Sequence, residues 1–124
     1  MPVSENGGGP VAALSLVSST AGGLAVVNVD GVLDATTREQ FADHLAQVVA
    51  EHGHHLILDL SGVTFMDSRA LGLIVHHWQT CVDSGGRFAL IGVRYSTSKV
   101  MWITGLAQRL PLFDSLDEAL AALG

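Results

Sequence analysis

The sequence predicts an α/β domain: a mixed sheet of about four to five strands covered by about four helices. Three observations predict it. Short apolar runs alternate with amphipathic stretches in the order β-β-α-β-α-β-α-(β)-α, and such alternation implies parallel neighbours joined through covering helices. The run His55–Leu60 is nearly continuous in apolar residues, as a central strand buried on both faces requires. The chain has 124 residues, a length that suits one domain, and it carries no internal repeat.

The opening MPVSENGGGP is rich in glycine and proline and predicts a flexible tail over residues 1–11, ahead of a domain over 12–124. It lacks the basic and then apolar segments of a signal peptide. Residues 13–17 read as a first strand, Thr20–Gly23 as a turn, and Leu24–Asp30 as a second strand ended by Gly31, a hairpin spacing. A helix follows, with two overlapping capping boxes, Thr36 with Glu39 and Thr37 with Gln40. Its Phe41, Leu45, Val48 and Val49 share one face, and Gly53 ends it. His55–Leu60 is the third strand. Ser61-Gly62 bends the chain, and Val63–Met66 leads into a second helix with Leu71, Ile74, Val75, Trp78 and Val82 on its apolar face. Ser84-Gly85-Gly86 closes that helix, and Arg87–Val93 forms the fourth strand. Ser96–Ser98 can cap a third helix with Val100, Ile103, Ala107 and Leu110 inward. Pro111-Leu112-Phe113 suits a short edge strand. Ser115 and Glu118 make a last capping box, opening a helix with Leu116, Ala119, Leu120 and Leu123.

Composition narrows the function classes. Apolar residues make up 48% and charged residues 15%, so the bulk of the chain is able to bury a core. The net charge is −6, the one lysine is Lys99, and the five arginines are dispersed. That pattern lacks the basic stripe of a nucleic-acid binder and the polybasic patch of a membrane-surface protein. No stretch has the apolar length of a membrane span. Cys81 is the single cysteine, so no internal disulfide is possible. It falls in an apolar helical pattern, where a small buried thiol is expected, and the composition fits a reducing cytoplasm.

The stretch FMDSRALG, residues 65–72, places a serine between an aspartate and an arginine at a strand-to-helix junction. Ser68 is well placed as an N-cap, its hydroxyl accepting from a first-turn N–H. The same geometry has a second use. Free N–H groups and the macrodipole favour an anion at a helix start, so a phosphate on Ser68 would sit there and add about −1.5 to −2 charge. Asp67 is a pre-helix residue or an orienter of the Ser68 hydroxyl. Asp34 reads as a turn or capping carboxylate.

Two segments together resemble the STAS domain family. Asp59-Leu60-Ser61-Gly62-Val63 followed by Phe65-Met66-Asp67-Ser68-Arg69-Ala70-Leu71-Gly72 is similar to its signature. Gly31-Val32-Leu33-Asp34 with Thr36-Thr37 resembles its G-x-L-D-x-x-T segment. The likeness is greatest to bacterial anti-sigma factor antagonists and covers about residues 12–123. It implies the STAS fold, with Ser68 as phosphoacceptor and Asp34, Thr36, Thr37, Asp67, Ser68, Arg69 and Leu71 as the partner-binding set. It implies that the unphosphorylated form binds an anti-sigma factor serine kinase and releases a sigma factor. Phosphorylation would break the complex, and a serine phosphatase would restore it. No cofactor is implied, and the expected protein is a cytoplasmic regulator rather than an enzyme. Two positions depart from the pattern, which commonly has Ser or Thr and then Gly after the phosphoserine; here they are Arg69 and Ala70. Arg69 leaves two readings open, a different partner or poor phosphorylation.

Two rival functions fit the same fold. One is a subunit of a larger assembly such as a lipid-transport complex, where Ser68 is only a cap. The other is a free-standing sensor holding an anion or nucleotide at the helix end. Other signals are weaker. The histidines include the adjacent pair His76-His77, whose side chains diverge on a helix, and with one cysteine they form no metal-ligand pattern. The nucleophile elbow of serine hydrolases is absent around Ser68, as are phosphate-binding glycine motifs. Trp102 and Met101 form a docking patch if they are exposed.

Overall fold

Five strands form one sheet in chain order, and the pairing changes from antiparallel to parallel after the first pair. Strand β1 (Leu14–Ala21) runs antiparallel to β2 (Leu24–Leu33). Then β3 (His55–Met66), β4 (Arg87–Ile91) and β5 (Leu112–Phe113) follow in parallel. The connections are helices α1 (Arg38–His52), α2 (Ser68–Asp83) and α3 (Lys99–Ile103), with a 3-10 turn at Leu106–Gln108, and α4 (Leu116–Leu123) ends the chain. This is a computed structural model. It describes residues 13–124 and, before them, only the backbone pairs Val3–Ser4 and Asn6–Gly7. The tail expected over residues 1–11 otherwise lies outside the described residues.

Strand β3 is buried on both sides, which explains its apolar run. Leu56, Leu58 and Leu60 face a large core shared with Phe41, Leu45 and Val48 of α1, and with Leu71 and Ile74 of α2. Ile57 faces the other way, joining Leu24, Val26, Ala89 and Ile91 under Ala119 of α4. Helices α1 to α3 thus cover one face and α4 the other. At about 25 cal/mol per Å², burial of these side chains is the main stabilising term.

Several elements differ from expectation, each for a local reason. The first two strands are longer than predicted: β1 continues to Ala21, and Gly22-Gly23 form the turn with φ of 57° and 81°. Gly31 does not end β2. It sits inside the strand at φ 115°, where a Cβ would collide with the Ala13 carbonyl; the neighbouring Val32 N–H donates to that same carbonyl at 2.9 Å. Ser61-Gly62 does not end β3 either. Between the pairs Asn28–Asp59 and Leu33–Met66 the register slips twice, so β3 uses two residues more than β2 over that stretch. These are bulges, which bend a strand and re-aim its side chains. They turn Phe65 outward, 51% exposed, while Met66 stays in the core.

The third helix is broken. Gly105 adopts φ 78° and the Thr104 hydroxyl bonds back to Val100 O at 2.8 Å, so the predicted continuous helix splits into α3 and a 3-10 turn. Leu110 is still buried, but Ile103 is 79% exposed rather than inward. On α2, Cys81 takes the inward position expected of Val82, which is 62% exposed. Burial pushes the Cys81 thiol up to about 11. Because the fold favours the protonated thiol, its contribution to stability is complete below pH 9.0 and is lost as pH rises toward about 11.

Two outcomes follow from this packing. Gly31→Ala should lower the unfolding free energy by about 2 kcal/mol or more, measured by urea denaturation, since it combines a steric clash with a left-handed φ. Cys81 should react with a thiol reagent at neutral pH only when the protein unfolds.

Candidate functional site

The β2 and β3 strands deliver two loops to the same end of the sheet. Leu33 pairs with Met66, and the Asp67 N–H donates to Leu33 O at 2.9 Å. The residues that follow, Asp34 on one strand and Asp67-Ser68 on the other, therefore start neighbouring loops. In open α/β sheets, ligands and partners meet the carboxyl ends of parallel strands.

The predicted capping geometry is corrected at both helices. Asp67, not Ser68, is the N-cap of α2. It is extended (φ −102°, ψ 178°), and its Oδ1 accepts the N–H groups of Arg69 and Ala70, each at 3.0 Å. Ser68 is the first helical residue, exposed, and its hydroxyl has no hydrogen-bond partner among the described residues. The helix end expected to welcome an anion already holds a carboxylate. Two of the first-turn N–H groups that a bound anion would use are thereby taken.

At α1 neither capping box forms. Thr37 occupies the cap position without a side-chain cap bond. Its hydroxyl instead donates to Val32 O at 2.7 Å and accepts from the Asp34 N–H at 3.1 Å. Gln40 reaches away to donate to Leu14 O at 3.2 Å. The Asp34 carboxylate turns back on its own loop, where Oδ1 accepts the Thr36 N–H at 2.9 Å and the Thr36 hydroxyl at 2.6 Å. The bond from the Thr36 hydroxyl, helped by backbone bonds from Thr36 and Thr37 against a smaller burial effect, holds the Asp34 carboxyl below its ordinary value. Asp34 is an anion fixed in direction.

The expected partner-binding set divides by burial. Ser68, Arg69 and Thr36 are exposed, and Asp34 and Asp67 are half-buried. Thr37 is 4% exposed and Leu71 3%. Both lie beneath the surface, Thr37 holding the loop and Leu71 packing α2 on the sheet.

The structure adds residues that the sequence did not link to Ser68. A groove of about 410 Å³ runs beside it, lined by Phe65, Met66, Asp67 and Ser68 on one side and Ser96, Thr97, Lys99, Val100 and Ile103 on the other. Its exposed apolar members are Phe65 and Ile103. Two sequence features could have found it: the apolar Phe65 directly before the Asp67-Ser68 junction, and Thr104-Gly105, which ends α3 right after Ile103. Nearby, Tyr95 and Trp102 meet edge to face at 5.5 Å, with the Lys99 ammonium 5.9 Å from the Tyr95 ring. Trp102 is 38% exposed, but Met101 is fully buried, so the patch expected of the two is formed by Trp102 with Tyr95 instead.

Among the described residues, no group of three or more His, Cys, Asp or Glu is placed to hold a metal ion. No helix among them is long and apolar enough to cross a membrane.

A family model described as the STAS domain matches residues 15–119. The chain is 26% identical over 102 residues to an anti-sigma F factor antagonist of Paenibacillus polymyxa, covering 82% of this chain and 87% of that one. It is 26% identical over 101 residues to the anti-sigma-F factor antagonist RsfB of Mycobacterium tuberculosis, covering 82% of each. A crystal structure of an anti-sigma factor antagonist from Mycobacterium paratuberculosis superposes with a TM-score of 0.78 at 28% identity, over 89% of this chain and 93% of that chain.

The capping assignment is open to direct measurement. Asp67→Ala should lower stability by about 1 kcal/mol, whereas Ser68→Ala should change it by less than about 0.5 kcal/mol. Paired urea titrations give both values, and the reverse order would restore Ser68 as the cap.

Proposed function

We propose that this chain, which belongs to the STAS domain family, acts as an anti-sigma factor antagonist switched by phosphorylation of Ser68. Its unphosphorylated form binds an anti-sigma factor that is also a serine kinase, and so releases a sigma factor. The kinase modifies Ser68 and breaks the complex, and a serine phosphatase resets it. The output is binding, with no catalysis by this chain. One observation carries the reading: an exposed serine hydroxyl, unused by the fold, stands on the first turn of α2 beside a carboxylate that has taken its capping duty. The named antagonists with matching chain coverage support the pathway.

The physics of release follows from that arrangement. A hydroxyl is small and neutral, and a partner surface can close over it. Phosphate brings about −1.5 to −2 charge. The N–H groups of Arg69 and Ala70 already bond to Asp67, so two of the first-turn donors are not free to compensate it. Desolvating the dianion beside the Asp67 carboxylate costs several kcal/mol unless cations match it. About 3 kcal/mol already exceeds a hundredfold in affinity. Local repulsion suffices, and no change of fold is needed. In this reading Asp34, Thr36, Asp67, Ser68 and Arg69 meet the partner.

The test uses the cognate kinase and ATP, with mass spectrometry to locate the phosphate. Ser68 should be the modified residue. Ser68→Ala should bind the kinase and resist release by ATP, and Ser68→Glu should bind about a hundredfold more weakly. Modification elsewhere, or none, would remove the switch. A folded Ser68→Ala protein that fails to bind would make the hydroxyl a contact rather than a switch.

A further inference from the structure

On the other side of the α2 N-terminus from the Ser68 groove, Arg38, Arg69, Gly72, Leu73 and His76 line a shallow pocket of about 540 Å³. No carboxylate lines it, and among the described residues neither guanidinium is paired with an acidic side chain. Both arginines stand where the backbone disfavours them. Arg38 is the first residue of α1 and Arg69 the second of α2. A helix N-terminus carries partial positive charge and favours anions. Asp67 caps α2 and Glu39 lies in the first turn of α1, but neither lines the pocket, which therefore gathers two guanidinium groups in one concavity on a chain of net charge −6.

We infer that this pocket is a docking site for an acidic segment of the protein partner, one that places carboxylates against Arg38 and Arg69 and an apolar side chain on Leu73. The charge is complementary to carboxylates, and guanidinium groups bind them through paired N–H bonds. Leu73 is half-buried and gives an apolar floor. Gly72 keeps the approach open, because a Cβ there would meet nothing within 4 Å. Arg69 adjoins Ser68, so an occupant of the pocket would lie against the phosphorylation position. This gives Arg69 a positive role as a selector of acidic partners. The inference rests on the proposed function for the kind of partner only. The pocket's preference for carboxylates is measurable without any kinase.

The experiment is an amide chemical-shift titration of the full chain with a blocked peptide of alternating glutamate and leucine. Its controls are the same peptide with glutamine in place of glutamate, and inorganic phosphate. Saturable shifts are expected at Arg69, Gly72 and Leu73 with the acidic peptide only, weakening with salt. The double variant Arg38→Gln/Arg69→Gln should weaken binding by about tenfold or more. Gly72→Leu should also weaken it, by filling the mouth while keeping every charge, and both variants should retain native spectra elsewhere. The titration uses unphosphorylated protein and no kinase, so loss of the phosphorylation switch and loss of this site are separate results. Equal binding of the glutamine peptide, binding of phosphate alone, or unchanged affinity in the arginine variant would each overturn the inference.

Discussion

The site depends on one bond pair: the Asp67 carboxylate accepting the N–H groups of Arg69 and Ala70. A helix start has four unsatisfied donors, and a serine placed there is ordinarily drawn into satisfying them. Here the residue before it does that work. Ser68 is thereby left with an exposed hydroxyl at a fixed position on a rigid turn. The same bonds take up two of the first-turn donors that a phosphate would otherwise use. An added charge at Ser68 would stand beside the Asp67 carboxylate, with those two donors already used.

The sheet holds this bond pair in place. Pairing of Leu33 with Met66, and the bond from Asp67 to Leu33 O, tie the start of α2 to the end of β2. Thr37 fastens the adjoining loop by bonding to Val32 O, and the Asp34–Thr36 bond braces it further. Two bulges in β3 turn Phe65 to the surface while Met66 stays buried. Beneath, Leu71 and Ile74 lock α2 onto the sheet. Ser68 thus stands between an apolar groove on one side and a cationic pocket on the other, a surface of mixed chemistry suited to selecting one partner.

Much of this was legible in the sequence because it rests on local patterns. The alternation of apolar runs and amphipathic stretches gave the element order, and the continuous run at His55–Leu60 marked the central strand. The two motif segments located both loops of the site. What the sequence hid was set by competition between equivalent groups. Asp67 and Ser68 are both good caps, and spacing alone does not choose between them; backbone geometry does. Thr37 and Gln40 match a capping box, yet both bond elsewhere because the end of β2 and the start of β1 offer carbonyls nearby. Gly31 and Gly62 look like breakers, but each lies inside a strand where neighbouring atoms occupy the space of a side chain. The groove and the arginine pocket join segments distant in sequence and become visible only in three dimensions.

The central claim is that charge at Ser68 acts locally on a fold that does not change. The direct measurement is to make the protein with phosphoserine at position 68, record its amide spectrum, and titrate it with the anti-sigma partner. The account predicts shifts confined to the start of α2, the Asp34 loop and the groove, with native protection of α2 from hydrogen exchange, alongside a loss of affinity exceeding about a hundredfold. Spectral changes spreading through the core, or affinity retained despite the phosphate, would contradict it.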